Sequence, residues 1–309
     1  MNGSSRLIAA ALLTIASSAS SQAQQRALSV DEIAPGLFVH VGLTELMTRE
    51  NEGRVANVGF IIGADAVAVI DTGGSVREGR RLLAAIRVHT DKPIRYVINT
   101  HAHPDHVFGN AAFLDGDAYF VGHRNLPSAL AMRGPFYLES FRRIMGEELI
   151  GEVRLIPPTR LVGETLALDL GDRKLVLRAW PTAHSDNDVT VLDELTGTLF
   201  AGDLVFLTHV PVLDGSLGGW LTVIDRLNST SAQRVVPGHG PVSDWPGALA
   251  DERRYLNRLA TDIRALIGHG EPITAAPDAA AGSEQFRWKL FSDYHARNAT
   301  AAFSEIEWE

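Results

Sequence analysis

The chain contains no cysteine, so it has neither a disulfide nor a thiolate ligand. Any metal ion must therefore be held by imidazole or carboxylate. Lysine is almost missing: only Lys92, Lys174 and Lys289 occur. The other basic residues are arginines, scattered singly or in short pairs such as Arg80–Arg81, Arg142–Arg143 and Arg253–Arg254. With a formal charge of −9 and no basic stripe, the surface suits phosphate backbones poorly, and nucleic acid is not expected as a partner. Bilayer-length apolar runs are lacking too. Leu7–Ala16 has ten residues, too few to cross a membrane. It follows Arg6 and precedes small residues, with Ser21 and Ala23 at the −3 and −1 positions of a cleavage site. Residues 1–23 thus read as a cleavable export signal, which implies a periplasmic or secreted protein with no membrane attachment once the signal is removed.

What remains is ordinary globular material, 45% apolar and 21% charged over 309 residues. Residues 24–267 read as one catalytic domain, and 268–309 as a C-terminal extension packing on it. Strands are predicted at Gly36–Val41, Val55–Ile62 and Ala66–Ile70, the last two joined by the hairpin signature Gly63-Ala64-Asp65. Ser75 caps a predicted helix over Val76–His89, and Ile94–Ile98 and Ala118–Val121 are strands. Residues 123–150 read as helical, broken at Gly134-Pro135. Further strands are predicted at Thr165–Leu170, Lys174–Ala179, Val189–Asp193, Thr198–Phe200 and Val235–Val236, with helices over Gly219–Leu227 and Trp245–Ile267. Ala275–Gly282 reads as a linker and Glu284–Ala296 as an amphipathic stretch, with Phe286, Trp288 and Phe291 docking the tail. Strand-rich halves with helices at their ends predict an α+β fold of two packed sheets with helices outside.

The chemistry concentrates in Thr100-His101-Ala102-His103-Pro104-Asp105-His106, just past a predicted strand. In extended backbone, residues two apart point the same way, so His101 and His103 can reach one metal together. A turn at Pro104 can then swing Asp105 and His106 towards a second. Neutral imidazole and carboxylate are proper ligands for zinc or iron.

This H-x-H-x-D-H string resembles the signature of the metallo-β-lactamase superfamily. Matching segments follow in order: Thr182-Ala183-His184-Ser185, Leu199-Phe200-Ala201-Gly202-Asp203 and Pro237-Gly238-His239-Gly240, with Asp71-Thr72-Gly73 as an early strand-end motif. The resemblance implies an αββα sandwich with two metal ions, zinc by preference and iron as the alternative. It gives one metal to His101, His103 and His184, the other to Asp105, His106 and His239, and makes Asp203 the bridge. It also implies that a hydroxide shared by the two ions attacks a carbonyl or similar electrophile, with Asp105 orienting it. Asp71 is read as holding a ligand histidine or the loop in place. Asn187 is a weak candidate for touching substrate. His209, six residues past Asp203, is a weak candidate for lining the mouth, with a surface-loop role as the preferred reading.

Within the superfamily, the 36-residue interval from Asp203 to His239 leaves no room for the large insertion of nucleic-acid-processing relatives. Flavodiiron relatives have Glu where His103 stands. One lactamase branch has Cys in place of Asp203 and Lys where Phe206 stands, which counts against an efficient penicillin hydrolase. The string Thr100–Asn110 resembles glyoxalase-II-type thioester hydrolases. Asn57-Val58-Gly59-Phe60, Trp180–Asp188 and Val212-Leu213-Asp214-Gly215-Ser216-Leu217 resemble exported zinc hydrolases of quinoprotein relay systems, similar to a sulfur-oxidation-associated type. That resemblance implies a functional link to periplasmic quinoprotein dehydrogenases. The expected function is a periplasmic dinuclear zinc hydrolase acting on a small-molecule ester, thioester or lactam. The rivals are a mononuclear iron persulfide dioxygenase, a β-lactamase, and a non-catalytic metal-binding partner of a quinoprotein system.

Overall fold

The first half of the chain is a meander that turns into parallel crossovers. In the computed structural model, which describes residues 27–309, β1 (Asp31–Ala34), β2 (Leu37–His40), β3 (Val58–Ile62) and β4 (Val67–Ile70) pair antiparallel in succession. Helix α1 (Val76–His89) then returns the chain to β5 (Ile94–Ile98), parallel to β4. After the one-turn helix α2 (Pro104–Val107), β6 (Tyr119–His123) adds in parallel. Helices α3 (Leu126–Met145) and α4 (Glu147–Ile150) lead to β7 (Arg160–Val162), completing a seven-stranded mixed sheet in chain order. The second sheet holds β8 (Thr165–Asp169), β9 (Lys174–Ala179), β10 (Val189–Asp193) and β11 (Thr198–Phe206) as an antiparallel meander. Helix α5 (Leu217–Leu227) crosses over to β12 (Arg234–His239), parallel to β11, and β13 (Ser243–Asp244) closes the edge. Helices α6 (Leu249–Gly268), α7 (Ala276–Ala279) and α8 (Phe291–Ile306) follow.

Side-chain alternation explains the layering. Along β4, Val67 and Val69 point to the outer face and pack on Leu82, Ala85 and Ile86 of α1. Ala68 and Ile70 point inward, against Leu175, Leu177, Val191 and Phe200 of the second sheet. The far face of that second sheet is covered by α5, α6 and α8 through Trp220, Leu256 and Phe303. The result is two mixed sheets packed face to face with helices outside, as the sequence predicts.

Boundaries differ where local signals mislead. Strand β11 runs on to Phe206 instead of stopping at Phe200, because the segment is buried throughout and a register irregularity at Gly202 absorbs the apparent break. Helix α3 continues through Pro135. Pro135 and Ala131, whose carbonyl it frees, both lie on the exposed side, where water can satisfy that carbonyl. Helix α6 begins at Leu249, not Trp245, since Pro246 and Gly247 shape the preceding turn. The short strands β1 and β7 carry no alternation long enough to read in advance.

At the C-terminus, 275–282 is not an extended linker. It forms short helical turns that bury Ala276, Ala280 and Ala281. The last helix covers Phe291–Ile306, later than the predicted amphipathic stretch. Trp288 and Phe291 are buried against the body of the protein, but Phe286 is 95% exposed and docks nothing. The expected export signal at 1–23 lies outside the described residues.

Candidate metal centre

Four chain segments deliver the site, three at or just past the end of a strand and one from within β11. Past β5, His103 is extended, and Pro104 starts α2 because its missing N–H has no partner to lose at a helix start. That single turn sends His106 to the far side of the segment from His103, with its backbone N–H donating to the His103 carbonyl at 3.1 Å. His184 sits beyond β9, Asp203 within β11, and His239 at the end of β12.

Their donor atoms converge. His101, His103, His184 and Asp203 form one group, and Asp105, His106 and His239 form another, with the donor atoms of each group within 4.8 Å of one another. Asp203 faces both groups. Its Oδ2 lies 3.7 Å from His101 Nε2 and 3.5 Å from His184 Nε2. Its Oδ1 lies 3.1 Å from His106 Nε2 and 3.6 Å from His239 Nε2. Asp105 Oδ2 is 3.3 Å from His239 Nε2, and His103 Nδ1 is 3.1 Å from His184 Nε2. All seven residues nominated from the sequence are therefore brought together.

The donor set fits divalent ions. His101 Nε2, His106 Nε2 and Asp203 Oδ1 are buried and lack any hydrogen-bond partner, although buried polar atoms are normally paired. All three point into the cluster, and nitrogen and carboxylate oxygen are what zinc or iron takes. The outward nitrogens, in contrast, are all engaged. His101 Nδ1 meets Thr100 Oγ1 at 3.1 Å, and His103 Nε2 meets Asp214 Oδ2 at 3.1 Å. His106 Nδ1 lies 2.8 Å from Asp71 Oδ2. His184 Nδ1 donates to the Val212 carbonyl at 2.8 Å and His239 Nδ1 to the Val55 carbonyl at 3.0 Å. Such partners fix the ring orientation and leave the inner nitrogen free as a ligand.

Asp71 thus fills the supporting role read from the sequence. Besides His106, it accepts from the Thr100 backbone N–H at 2.8 Å and from Thr100 Oγ1 at 2.7 Å. It does so at φ 53°, a strained conformation for a non-glycine residue. Two other devices were not legible. Asn57 straps the loop around His239, its Nδ2 donating to the carbonyls of Pro237 and Gly240 at 2.8 Å each. Gly238 lets Asp203 approach: a Cβ there would lie 1.9 Å from Asp203 Oδ1.

The electrostatics divide the cluster in two. Burial drives His101 well below its ordinary pKa and His184 down to about 3, so both are neutral. Burial opposes charge on His106 and His239 too. There, however, Asp203 and its neighbouring carboxylates win, holding His106 well above its ordinary value and His239 up at about 9.

A cavity of about 1050 Å³ opens onto the cluster. His103, Asp105, Asp203 and His239 line its floor. Leu46, Met47, Met132, Phe136, Phe141 and Ile144, from the β2–β3 connection and α3, form an apolar wall. Arg133, Asp214, Tyr294 and Arg297 line it as well. His209 also faces this cavity; it is 3% exposed and its ring lies 5.0 Å from that of His239, so the surface-loop expectation is wrong. The extension of β11 and the pairing of residue 209 with Lys289 pull it inside. Burial lowers its pKa to about 4, and its Nδ1 donates to the Val210 carbonyl at 2.6 Å. Asn187 does not line the cavity. Its N–H donates to Ser185 Oγ and its Nδ2 to Asp186 Oδ1, so it shapes the turn after His184.

Residues 51–239 match the metallo-beta-lactamase superfamily. The chain belongs to that superfamily. It is 44% identical over 219 residues to a linear primary-alkylsulfatase of Pseudomonas sp. (strain ATCC 19151), an alignment covering 60% of this chain and 41% of that protein. The chain therefore spans less than half of that relative's length. Among solved structures, a metallo-beta-lactamase from Pontibacter korlensis matches with a TM-score of 0.61 at 21% identity, over 74% of this chain and 99% of that one. A double mutant of the sec-alkyl sulfatase PisA1 matches with a TM-score of 0.65 at 17% identity, over 81% of this chain and 45% of that one. At these identities the two structures speak for the fold alone. The superfamily and its alkylsulfatase member support a metal-dependent hydrolase.

Proposed function

We propose that this protein is a periplasmic dinuclear zinc hydrolase that cleaves an ester joining an apolar chain to a small polar head. One observation carries the reading: the apolar cavity ends on the His/Asp cluster, with Asp203 turning one oxygen to each half of it. When bound, two divalent ions would supply an activated water and positive charge against a developing oxyanion. His101, His103, His184 and Asp203 would hold one, and Asp105, His106, His239 and Asp203 the other. The chain's own residues do the rest. The α3 wall takes the apolar part of the substrate and excludes water beside the reacting bond. Asp105 lines the cavity while touching the cluster, which puts a carboxylate where a nucleophile must be oriented. His209, neutral with Nδ1 donating, offers Nε2 as an acceptor.

The head class follows the alkylsulfatase relative, so alkyl sulfate esters join carboxylic esters and thioesters as candidates. The second donor group favours two ions over the single iron of a persulfide dioxygenase. The periplasmic setting and the quinoprotein link rest on the leader and the sequence strings, and cell fractionation tests the former. Turnover of a panel of alkyl sulfates, esters, thioesters and lactams tests the activity. Wild type should cleave at least one chain-bearing ester, and His103→Ala and Asp203→Ala should lose that turnover while staying folded. A zinc-loaded wild type that cleaves none, or variants that keep full rate, would contradict it.

A further inference from the structure

We propose that Arg133 and Arg297 form a binding subsite for one anionic group of the substrate, and that the C-terminal helix α8 exists in part to supply half of it. Arg133 comes from α3 and Arg297 from α8, 164 residues apart in the chain, yet both guanidiniums pair with the one carboxylate of Asp214. The arginine side chains are 47% and 53% exposed and both line the cavity, while Asp214 beneath them is 12% exposed. Two cations over one anion leave a net charge of about +1 facing the cavity. The planar forks keep donors free for a second carboxylate-like or sulfonate-like group. Of the other carboxylates that line the cavity, Asp105 and Asp203 belong to the metal cluster and Glu45 is exposed.

The surroundings show that this placement is built. Asp214 lies on a loop locked from behind by α8. Asn298 Oδ1 accepts from the Leu213 N–H at 2.9 Å, and Asn298 Nδ2 donates to the Pro211 carbonyl at 2.6 Å. About two turns further on, Glu305 accepts from Ser216 Oγ and the Gly218 N–H at 2.8 and 3.0 Å, tying down the start of α5. The same loop touches the metal ligands: the Asp214 N–H donates to the His184 carbonyl at 3.1 Å, and a Cβ at Gly215 would meet the Ala183 carbonyl at 2.4 Å. Asp214 therefore links the outer nitrogen of His103 to the two arginines. An anion on the arginines sits one side chain away from the reacting centre, beside the apolar wall. The ligand class is a monoanion carrying an apolar chain.

This rests on the cavity being a hydrolase substrate pocket, so the test reads binding apart from turnover. Titration of zinc-loaded protein with hexane-1-sulfonate and with hexan-1-ol, by calorimetry, compares an anionic and a neutral chain of equal length. Wild type should prefer the sulfonate at least tenfold. Arg133→Met and Arg297→Met should each weaken sulfonate binding at least tenfold and move the alcohol less than twofold. Both side chains are exposed, so neither variant should unfold. Arg143→Met, on the same helix but paired with Glu139 away from the cavity, should bind the sulfonate like wild type. No preference in wild type, or a preference that survives in both variants, would overturn the subsite; the latter would mean that the ions alone hold the anion. Esters cleaved without any arginine effect would sink the subsite and spare the hydrolase. Arginine-dependent sulfonate binding with no ester cleaved would do the reverse.

Discussion

Asp71 Oδ2 lies 2.8 Å from His106 Nδ1 while the other oxygen of the same carboxylate receives the Thr100 N–H at 2.8 Å. One buried side chain thus aims a ligand and holds the start of the segment that carries four of them. Replacing Asp71 with Ala should weaken zinc binding by roughly 10–100-fold, the usual cost of losing an outer-shell partner. Chelator competition measures it. Unchanged affinity would mean that packing alone orients His106.

Gly238 is the tightest point of the centre, since a Cβ would overlap Asp203 Oδ1 at 1.9 Å. Gly238→Ala should displace that carboxylate, lowering bound metal below that of wild type and stability by about 1–3 kcal/mol, the range for overpacking. Metal content and urea melts of the one variant check both effects.

Asn57 holds the Pro237–Gly240 turn with two side-chain bonds from the other half of the chain. Asn57→Ala removes both bonds and should cost roughly 2–6 kcal/mol, at about 1–3 per orphaned group. The loss should appear in the denaturant midpoint with m unchanged.

Burial raises the Asp188 carboxyl to about 7, against the opposing pull of its bonds from Ser185. A carboxyl whose folded pKa exceeds its unfolded value binds more protons in the folded state between those two values. Its contribution to stability is therefore greatest at acid pH and is lost as pH rises from about 4 to about 7, by at most about 4 kcal/mol. Asp188→Asn should flatten that part of the pH–stability curve. Urea unfolding at pH 4.5 and 8 measures the difference, and an equal slope in both proteins would refute the assignment.

Much of the centre could be read in advance because its ligands sit in short strings whose spacing is chemical: His101 and His103 share a side, and Pro104 forces the turn that separates His106 from them. The strands that form short apolar, β-branched runs, such as Val67–Ile70, and the capped helix Val76–His89 are equally legible. What stayed hidden depends on distance. Asp214 reaches His103 across 111 residues, and no local pattern ties Arg133 to Arg297. His209 looked like a loop residue because the burial of β11 beyond Phe200 is imposed by α5 and α6 packing on it, not by its own sequence. Phe286 looked like an anchor because hydrophobicity alone does not say which side of a tail faces the core.

The bridging geometry of Asp203 makes the number of metal ions the most direct test of this account. Inductively coupled plasma mass spectrometry of the purified mature protein, and of Asp203→Ala beside it, would count them. The account predicts close to two zinc per chain in wild type and a clear loss in the variant. One iron per chain, or two ions undisturbed by removing Asp203, would contradict it.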